Sequence, residues 1–150
     1  MLSCAAPASQ VAASTQEEVP AVVTRVVDGD TVHVDLGGDD VTIRLIGIDT
    51  PEVHSPTEPV QCYGAEATRY TTERLEGERV SLVFDVEHLD RCGRTLAYVF
   101  IGDELFNETL VREGYAVVTT YPPNVSHVDS FVAAQRDARE HARGLWSACP

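Results

Sequence analysis

Val32, Val34 and Leu36 alternate with His33 and Asp35, and after Gly37-Gly38-Asp39-Asp40 the alternation resumes with Val41, Ile43 and Leu45. An apolar residue at every second position is what a half-buried strand needs, because successive side chains point to opposite faces. Gly-Gly between two such runs is a strong signal for a tight hairpin turn. Two registers are open. If Gly37 and Gly38 alone form the loop, Asp30 lies across from Leu45; if all four residues loop out, it faces Gly47. Either one pairs valine with aliphatic residues and brings Asp30 to the end of the hairpin from which Asp49 emerges.

That end reads Arg44-Leu45-Ile46-Gly47-Ile48-Asp49-Thr50-Pro51-Glu52. The fixed φ of Pro51 and its missing N–H stop the sheet ladder and commit the chain to a turn, with a carboxylate on either side. Asp-Thr-Pro-Glu is also good chemistry for an ordinary exposed turn. The upstream segment Val26 to Val32 favours a functional reading, because it delivers Asp30 to the same place. Arg44 has the opposite strand parity from Asp30, so its head reaches the acids only through a strong bend, for which Gly47 gives room. Two aspartates, the nearby Glu52 and the free carbonyls of a turn suit a hard divalent cation with oxygen ligands. The absence of clustered His or Cys disfavours zinc, and calcium is the leading candidate. The residues alone thus point to metal-assisted chemistry on an anion that Arg44 clamps.

Elsewhere, Ala21 to Val27 and Val41 to Ile48 complete a three-stranded meander with Thr31 to Leu36. Val53 to Gln61, punctuated by prolines, is expected to be an exposed loop. A helix is expected over Tyr63 to Glu76 with Ala65, Ala67, Tyr70 and Leu75 inward and Gly77 as its stop. Strands follow over Arg79 to Asp85 and Arg94 to Ile101. Asn107 is placed to cap a short helix, Glu108 to Glu113, and a last helix runs from about Asp129 to Arg143 with Phe131, Ala134, Ala138 and Ala142 on one face. Five strands with a helix between the third and fourth predict an α+β, mainly β chain: a five-stranded OB-type Greek-key barrel with about three helices.

The chain of 150 residues, 43% apolar, is one domain's worth, and no stretch approaches the length of a membrane span. Its formal charge of −13 counts against a tight, non-catalytic nucleic-acid binder, whose affinity comes largely from cationic contacts to phosphate. An enzyme needing only transient capture, with a bound cation supplying part of the field, tolerates that charge better. All 11 basic residues are arginines.

Five strings in order carry a family resemblance: Asp-Gly-Asp-Thr from Asp28, the Arg44 to Glu52 stretch, Gly-Ala-Glu-Ala from Gly64, Asp-Arg-Cys-Gly-Arg from Asp90, and Asn107 to Ala116. Over about Val22 to Trp146 the chain resembles the staphylococcal nuclease (thermonuclease) family. The resemblance implies the same barrel and a calcium-dependent endonuclease that hydrolyses DNA and RNA, accepts single strands readily and leaves 3′-phosphate ends. By resemblance, Asp30 and Asp49 ligate calcium through their carboxylates and Thr50 through its backbone oxygen. Glu52 acts as general base on water, and Arg44 and Arg94 hold the phosphate, because guanidinium forks match phosphate oxygens. The resemblance likewise puts Arg91 where the family usually has a basic residue near a terminal phosphate, and Tyr121 where a family tyrosine stacks on or borders the base. Cys92 departs from the pattern, standing where the family usually has a tyrosine. The competing function is a non-catalytic nucleic-acid or protein interaction module of the same fold, which should have lost at least one of Asp30, Arg44, Asp49, Glu52 and Arg94. None is lost.

The domain is expected over residues 21–150, as a monomer, after a leader or linker of residues 1–20 rich in Ala, Ser, Gln and Pro. Four cysteines fit export to the cell surface or beyond, where a pair is oxidised. The favoured pair is Cys62 with Cys149, tying the start of the first helix to the chain's end and leaving Cys92 free; Cys62 with Cys92 is the alternative. Cys4 is compatible with a lipid anchor, although Met1-Leu2-Ser3 approximates the required signal poorly.

Overall fold

In the computed structural model, which describes residues 17–53, 57 and 59–150, the hairpin turns on Gly37 and Gly38 alone. Both have positive φ, 63° and 98°, a backbone that two-residue hairpin loops require and that a Cβ resists. Leu36 pairs with Asp39 and Thr31 with Arg44, so Asp30 faces Leu45, the first of the two registers. Val32, Val34, Ile43 and Leu45 are buried accordingly.

The meander is β1 (Val19–Asp28), β2 (Thr31–Leu36) and β3 (Asp39–Leu45). β1 starts ahead of the boundary that composition suggested, since Val19 and Pro20 pair with Leu82 and Ser81. The rest of the expected leader, up to residue 16, and Cys4 with it, lies outside the described residues. The β1 register shifts between Val23 and Arg25 and again between Val26 and Asp28. Bulges of this kind bend a strand, which lets β1 serve β2 along one part and β5 (Arg79–Val83) along another. β5 pairs with β6 (Thr95–Ile101), and β6 returns parallel to β3, with Ile43 opposite Thr95 and Leu45 opposite Ala97. The order β3-β2-β1-β5-β6, closed by β3 on β6, is a five-stranded OB-type barrel. Three two-residue strands lie outside it: β4 (Ile48–Asp49) pairs with β8 (Val117–Val118), and β7 (Glu104–Leu105) turns back on β6.

Helices α1 (Gly64–Leu75), α2 (Phe106–Arg112) and α3 (Val128–Glu140) pack on the barrel, followed by the single turn α4 (Leu145–Ala148). The buried stripe of α1 is Gly64, Ala67, Thr71 and Leu75. Ala65, expected inward, lies beside that stripe and is exposed. Thr71 takes its place because its hydroxyl donates to the Gly29 carbonyl at 2.8 Å, tying α1 to the turn between β1 and β2. Ala142, expected on the inner face of the last helix, is exposed beyond the end of α3 with φ 51°.

Asn107 does not cap α2. It lies inside the helix, fully buried, where its side-chain oxygen accepts from the Val99 N–H and its amide donates to the Ile46 carbonyl, both at 2.9 Å. An amide that satisfies a barrel strand and the site segment together is worth more buried than at a helix end, because either group left unpaired costs about 1–3 kcal/mol.

Gly47, one residue further on, has φ 83°, and a Cβ there would lie 2.7 Å from the Phe131 ring. Phe131 is itself buried. Gly47→Ala is expected to destabilise the fold by about 3 kcal/mol, combining backbone strain with overpacking. The check is the urea midpoint at unchanged slope; a loss under about 1 kcal/mol would mean that the ring gives way freely.

The chain's end is held at several points. The Leu145 N–H donates to the Gly114 carbonyl at 2.8 Å, Arg143 Nη1 donates to the Arg112 carbonyl at 3.1 Å, and Cys149 is disulfide-bonded to Cys62. Cys92 is free and exposed. Among the described residues no helix is long and apolar enough to cross a membrane.

Candidate active site

The turn between β1 and β2 places Asp28, Gly29 and Asp30 under the segment that follows β3. Gly29 has no room for a Cβ, which would meet the Thr50 side chain at 2.7–2.9 Å. This close approach lets the Thr50 N–H donate to Asp30 Oδ2 at 2.9 Å. The Thr31 hydroxyl donates to Asp30 Oδ1 at 3.0 Å, and the Leu45 N–H donates to the Asp30 carbonyl at 2.9 Å. Two of these hydrogen bonds, from Leu45 and Thr50, lock the aspartate at the hairpin's end to the segment that carries the other acids, and the third comes from its own neighbour.

Arg44 completes the knot. The bend at Gly47 carries the chain back, and the guanidinium wraps round it, Nη1 donating to the carbonyls of Leu45 (2.7 Å) and Ile48 (2.9 Å). Its other nitrogen, Nη2, lies 3.3 Å from Asp30 Oδ2 and 3.2 Å from Asp49 Oδ1. The parity conflict visible in the sequence is resolved by this wrap. Asp30, Asp49 and Arg44 converge.

The electrostatics follow from burial and crowding. Burial works to raise the Asp30 carboxyl, but the Arg44 charge and the Thr50 N–H outweigh it and hold the group below the usual carboxylate range. Asp49 is raised, by burial first and then by Asp30, against the pull of Arg44. Asp28 is pushed up to about 7 by burial and by the Asp30 charge, with Glu52 adding to the repulsion. One Asp28 oxygen, Oδ1, is buried without a hydrogen-bond partner, as is Thr50 Oγ1. Asp28 is a member of the cluster that sequence alone does not assign; its place at the end of β1, two residues before Asp30, is the one signal it gives.

Glu52 follows Pro51 and lies outside any strand or helix. Its N–H donates to the Gln61 side-chain oxygen at 2.8 Å, and the Gln61 N–H returns to the Glu52 carbonyl at 2.9 Å.

Two further arginines, Arg91 and Arg94, lie in the loop leading into β6 and share with Arg44 a cleft that Asp30, Asp49, Thr50 and Glu52 do not line. The parallel pairing of β3 with β6 puts Arg44 opposite Leu96, so Arg94 stands just before β6 on the same side of the barrel mouth. Asp90 organises this entry: Oδ2 accepts from Arg94 Nε at 2.7 Å, and Oδ1 accepts from the backbone N–H groups of Cys92 and Arg94, each at 2.9 Å. Burial works to raise Asp90, but these hydrogen bonds and the Arg94 charge hold it low. Asp90 was missed from sequence, although an acid four residues before an arginine across a glycine is a recognisable turn clamp. Arg44, Arg91, Cys92, Arg94 and Tyr121 all line one cleft of about 810 Å³. Arg91 has no ion pair among the described residues, and Tyr121 is 72% exposed. The Tyr121 loop is fastened by Asn124, whose side chain exchanges hydrogen bonds of 2.8 and 2.9 Å with the Glu87 backbone.

The chain is thus a closed OB-type barrel with a carboxylate cluster beside an arginine-lined cleft. The family model described as staphylococcal nuclease homologue matches residues 42–148. The chain is similar to the thermonuclease of Staphylococcus intermedius, 46% identical over 125 residues that cover 83% of this chain and 74% of that protein. It is also similar to the thermonuclease of Staphylococcus hyicus, 42% identical over 141 residues covering 94% and 83%. The endonuclease YncB of Bacillus subtilis is 35% identical over 131 residues covering 86% and 62%. The chain belongs to the staphylococcal nuclease family.

Proposed function

We propose that this chain is a calcium-dependent endonuclease, a phosphodiester hydrolase acting on DNA and RNA, preferring single strands and leaving 3′-phosphate ends. The observation that carries the reading is the convergence of Asp30 and Asp49 on one guanidinium, at the edge of a cleft walled by Arg91 and Arg94. Relatives named thermonuclease and endonuclease support the nuclease part of it. The non-catalytic module loses ground because Asp30, Arg44, Asp49, Glu52 and Arg94 are all present.

The residues fit a hard cation. Four acids, Asp28, Asp30, Asp49 and Glu52, crowd a region with Arg44 as its nearest cation, and the Asp28 oxygen without a partner lies among them. All available donors are oxygens. Among the described residues no group of three or more His, Cys, Asp or Glu side chains is assembled as a ligand set. In this reading Asp30, Asp49 and the Thr50 carbonyl would hold the ion with water completing its shell, an all-oxygen set of the kind calcium takes. Bound calcium supplies positive charge against the developing charge on the phosphate oxygens.

The protein's own groups do the rest. Glu52 takes the proton from the attacking water, Arg44 and Arg94 hold the phosphate from two sides, Arg91 meets a terminal phosphate, and Tyr121 stacks against the base. Action outside the cell as a monomer is part of the proposal, and the Cys62–Cys149 bond supports the oxidising location. The test is incubation with single-stranded DNA, first with calcium and then with excess chelator, followed by analysis of product ends. Turnover is expected to fall by about a hundredfold or more on chelation. Magnesium supporting equal activity would overturn the calcium assignment, and 5′-phosphate products would overturn the assigned cleavage direction.

A further inference from the structure

Glu52 occupies a weakly held stretch of chain. Pro51 before it has no N–H, no strand or helix includes it, and its carboxylate has no hydrogen-bond partner among the described residues. What fixes its backbone comes from the other side of the loop. The Gln61 side chain accepts the Glu52 N–H at 2.8 Å and the Gln61 N–H donates to the Glu52 carbonyl at 2.9 Å, so both polar groups of that peptide position depend on one residue. Gly64 presses on the same segment: a Cβ there would lie 2.8 Å from Val53 Cγ1 and 3.2 Å from the carbonyl oxygens of Pro51 and Glu52. The Gly64 N–H also donates to the Gln61 carbonyl at 3.0 Å, joining the two points of contact.

Between Gln61 and Gly64 sits Cys62, bonded across 87 residues of chain to Cys149. Cys149 is itself fastened: its N–H donates to the Leu145 carbonyl at 3.0 Å, and the Leu145 N–H donates to the Gly114 carbonyl at 2.8 Å. Gly114 and Gly144 approach so closely that neither position could carry a side chain without the backbone moving. The disulfide therefore ties the Gln61 turn to the end of α2 through a rigid last segment.

We propose that Gln61 is a positioning residue for Glu52, and that the Cys62–Cys149 disulfide keeps Gln61 in register so that the carboxylate addresses water at the right place. The inference rests on the reading of Glu52 as the group that activates water. Small misplacement of such a group is costly, about a hundredfold for an error near 1 Å.

The experiment compares Gln61→Ala, Gln61→Glu, the double variant Cys62→Ser/Cys149→Ser and Glu52→Gln, each in the full chain at saturating calcium. Measurements are kcat and KM on a single-stranded oligonucleotide, and hydrogen exchange of the Glu52 amide by NMR at a temperature where every variant is folded by circular dichroism. Gln61→Ala is expected to lower kcat by about tenfold or more with KM changed by less than about twofold. Its Glu52 amide should exchange faster, because its acceptor is gone. Gln61→Glu offers a carboxylate oxygen to the same N–H and should recover most of the lost kcat. The double serine variant should move kcat and Glu52 exchange in the same direction as Gln61→Ala.

Unchanged kcat in Gln61→Ala, with Glu52→Gln inactive, would overturn the positioning role while leaving the Glu52 reading intact. Full activity in Glu52→Gln would instead overturn the reading of Glu52, and the exchange data would still report whether Gln61 and the disulfide hold its backbone. Wild-type exchange and kcat in the double serine variant would remove the disulfide from the proposal.

Discussion

Glu52→Gln is expected to lower kcat by about three orders of magnitude while leaving the fold as stable as before or slightly more so, because general-base catalysis contributes about 10²–10⁴-fold. The substitution keeps the shape of the side chain and its backbone hydrogen bonds to Gln61. It removes the ability to take a proton. The sign of the stability effect comes from the neighbours: the Glu52 charge adds to the repulsion that raises Asp28 and Asp49 in the folded state. Neutralising it relieves that repulsion, so metal-free protein should melt no lower than the parent. Two measurements decide the matter, a thermal melt in chelator and single-turnover rates in saturating calcium. A kcat within about threefold of the parent would remove Glu52 from the reaction, since that residual effect is under 1 kcal/mol of barrier. A large fall in melting temperature would instead show that the acid is structural.

The barrel was legible because its strongest signals are local. Alternating Val, Ile and Leu on either side of Gly37 and Gly38 leaves little freedom in β2 and β3, and the observed Leu36–Asp39 pairing is one of the two registers that alternation allows. Closure by β3 on β6 is a non-local pairing that no local pattern marks; it followed from the order of five strands and a helix, which the family resemblance matched. Errors fell where one residue answers to two elements. Asn107 looks like a helix cap from its neighbours alone, yet its amide is drawn inward by the Val99 N–H and the Ile46 carbonyl, which lie 8 and 61 residues away. On α1 the inward set included Ala65, but Thr71 is buried in its stead because the Gly29 carbonyl accepts its hydroxyl.

At the site, residue types and order announced Asp30, Asp49 and Glu52, but not how they are supported. The wrap of Arg44 around the Leu45 and Ile48 carbonyls has no pattern in sequence, because it depends on a backbone bend whose only trace is Gly47. Asp28 was hidden by its proximity to Asp30: adjacent acids in a turn look solvated, and only burial turns one into a group pushed up to about 7. Gln61 carries no charge and no motif. Its importance to Glu52 appears once the loop's two ends are seen to meet.

Arg94→Ala is the second large effect expected: a fall in kcat of about 10³-fold, roughly 4 kcal/mol of transition-state stabilisation, with little change in stability. Of the two arginines proposed to hold the phosphate it is the cleaner probe. Arg44 satisfies the carbonyls of Leu45 and Ile48 as well as pairing with Asp30 and Asp49, so truncating it would leave buried acceptors unpaired and confuse folding with catalysis. Arg94 gives only its Nε to Asp90, which leaves the two terminal nitrogens of the guanidinium for the cleft. With Arg94 side chain gone, Asp90 still accepts from the backbone N–H groups of residues 92 and 94, so the turn keeps its clamp. The lost ion pair is partly exposed and is worth about 1 kcal/mol or less after solvent screening. Arg94→Lys should restore little activity, because an ammonium cannot hold Asp90 through an Nε and offer a planar fork to phosphate at once. A lysine variant within about tenfold of the parent would show that position 94 supplies only a diffuse positive charge, and the two-sided arginine grip on the phosphate would then have to be abandoned.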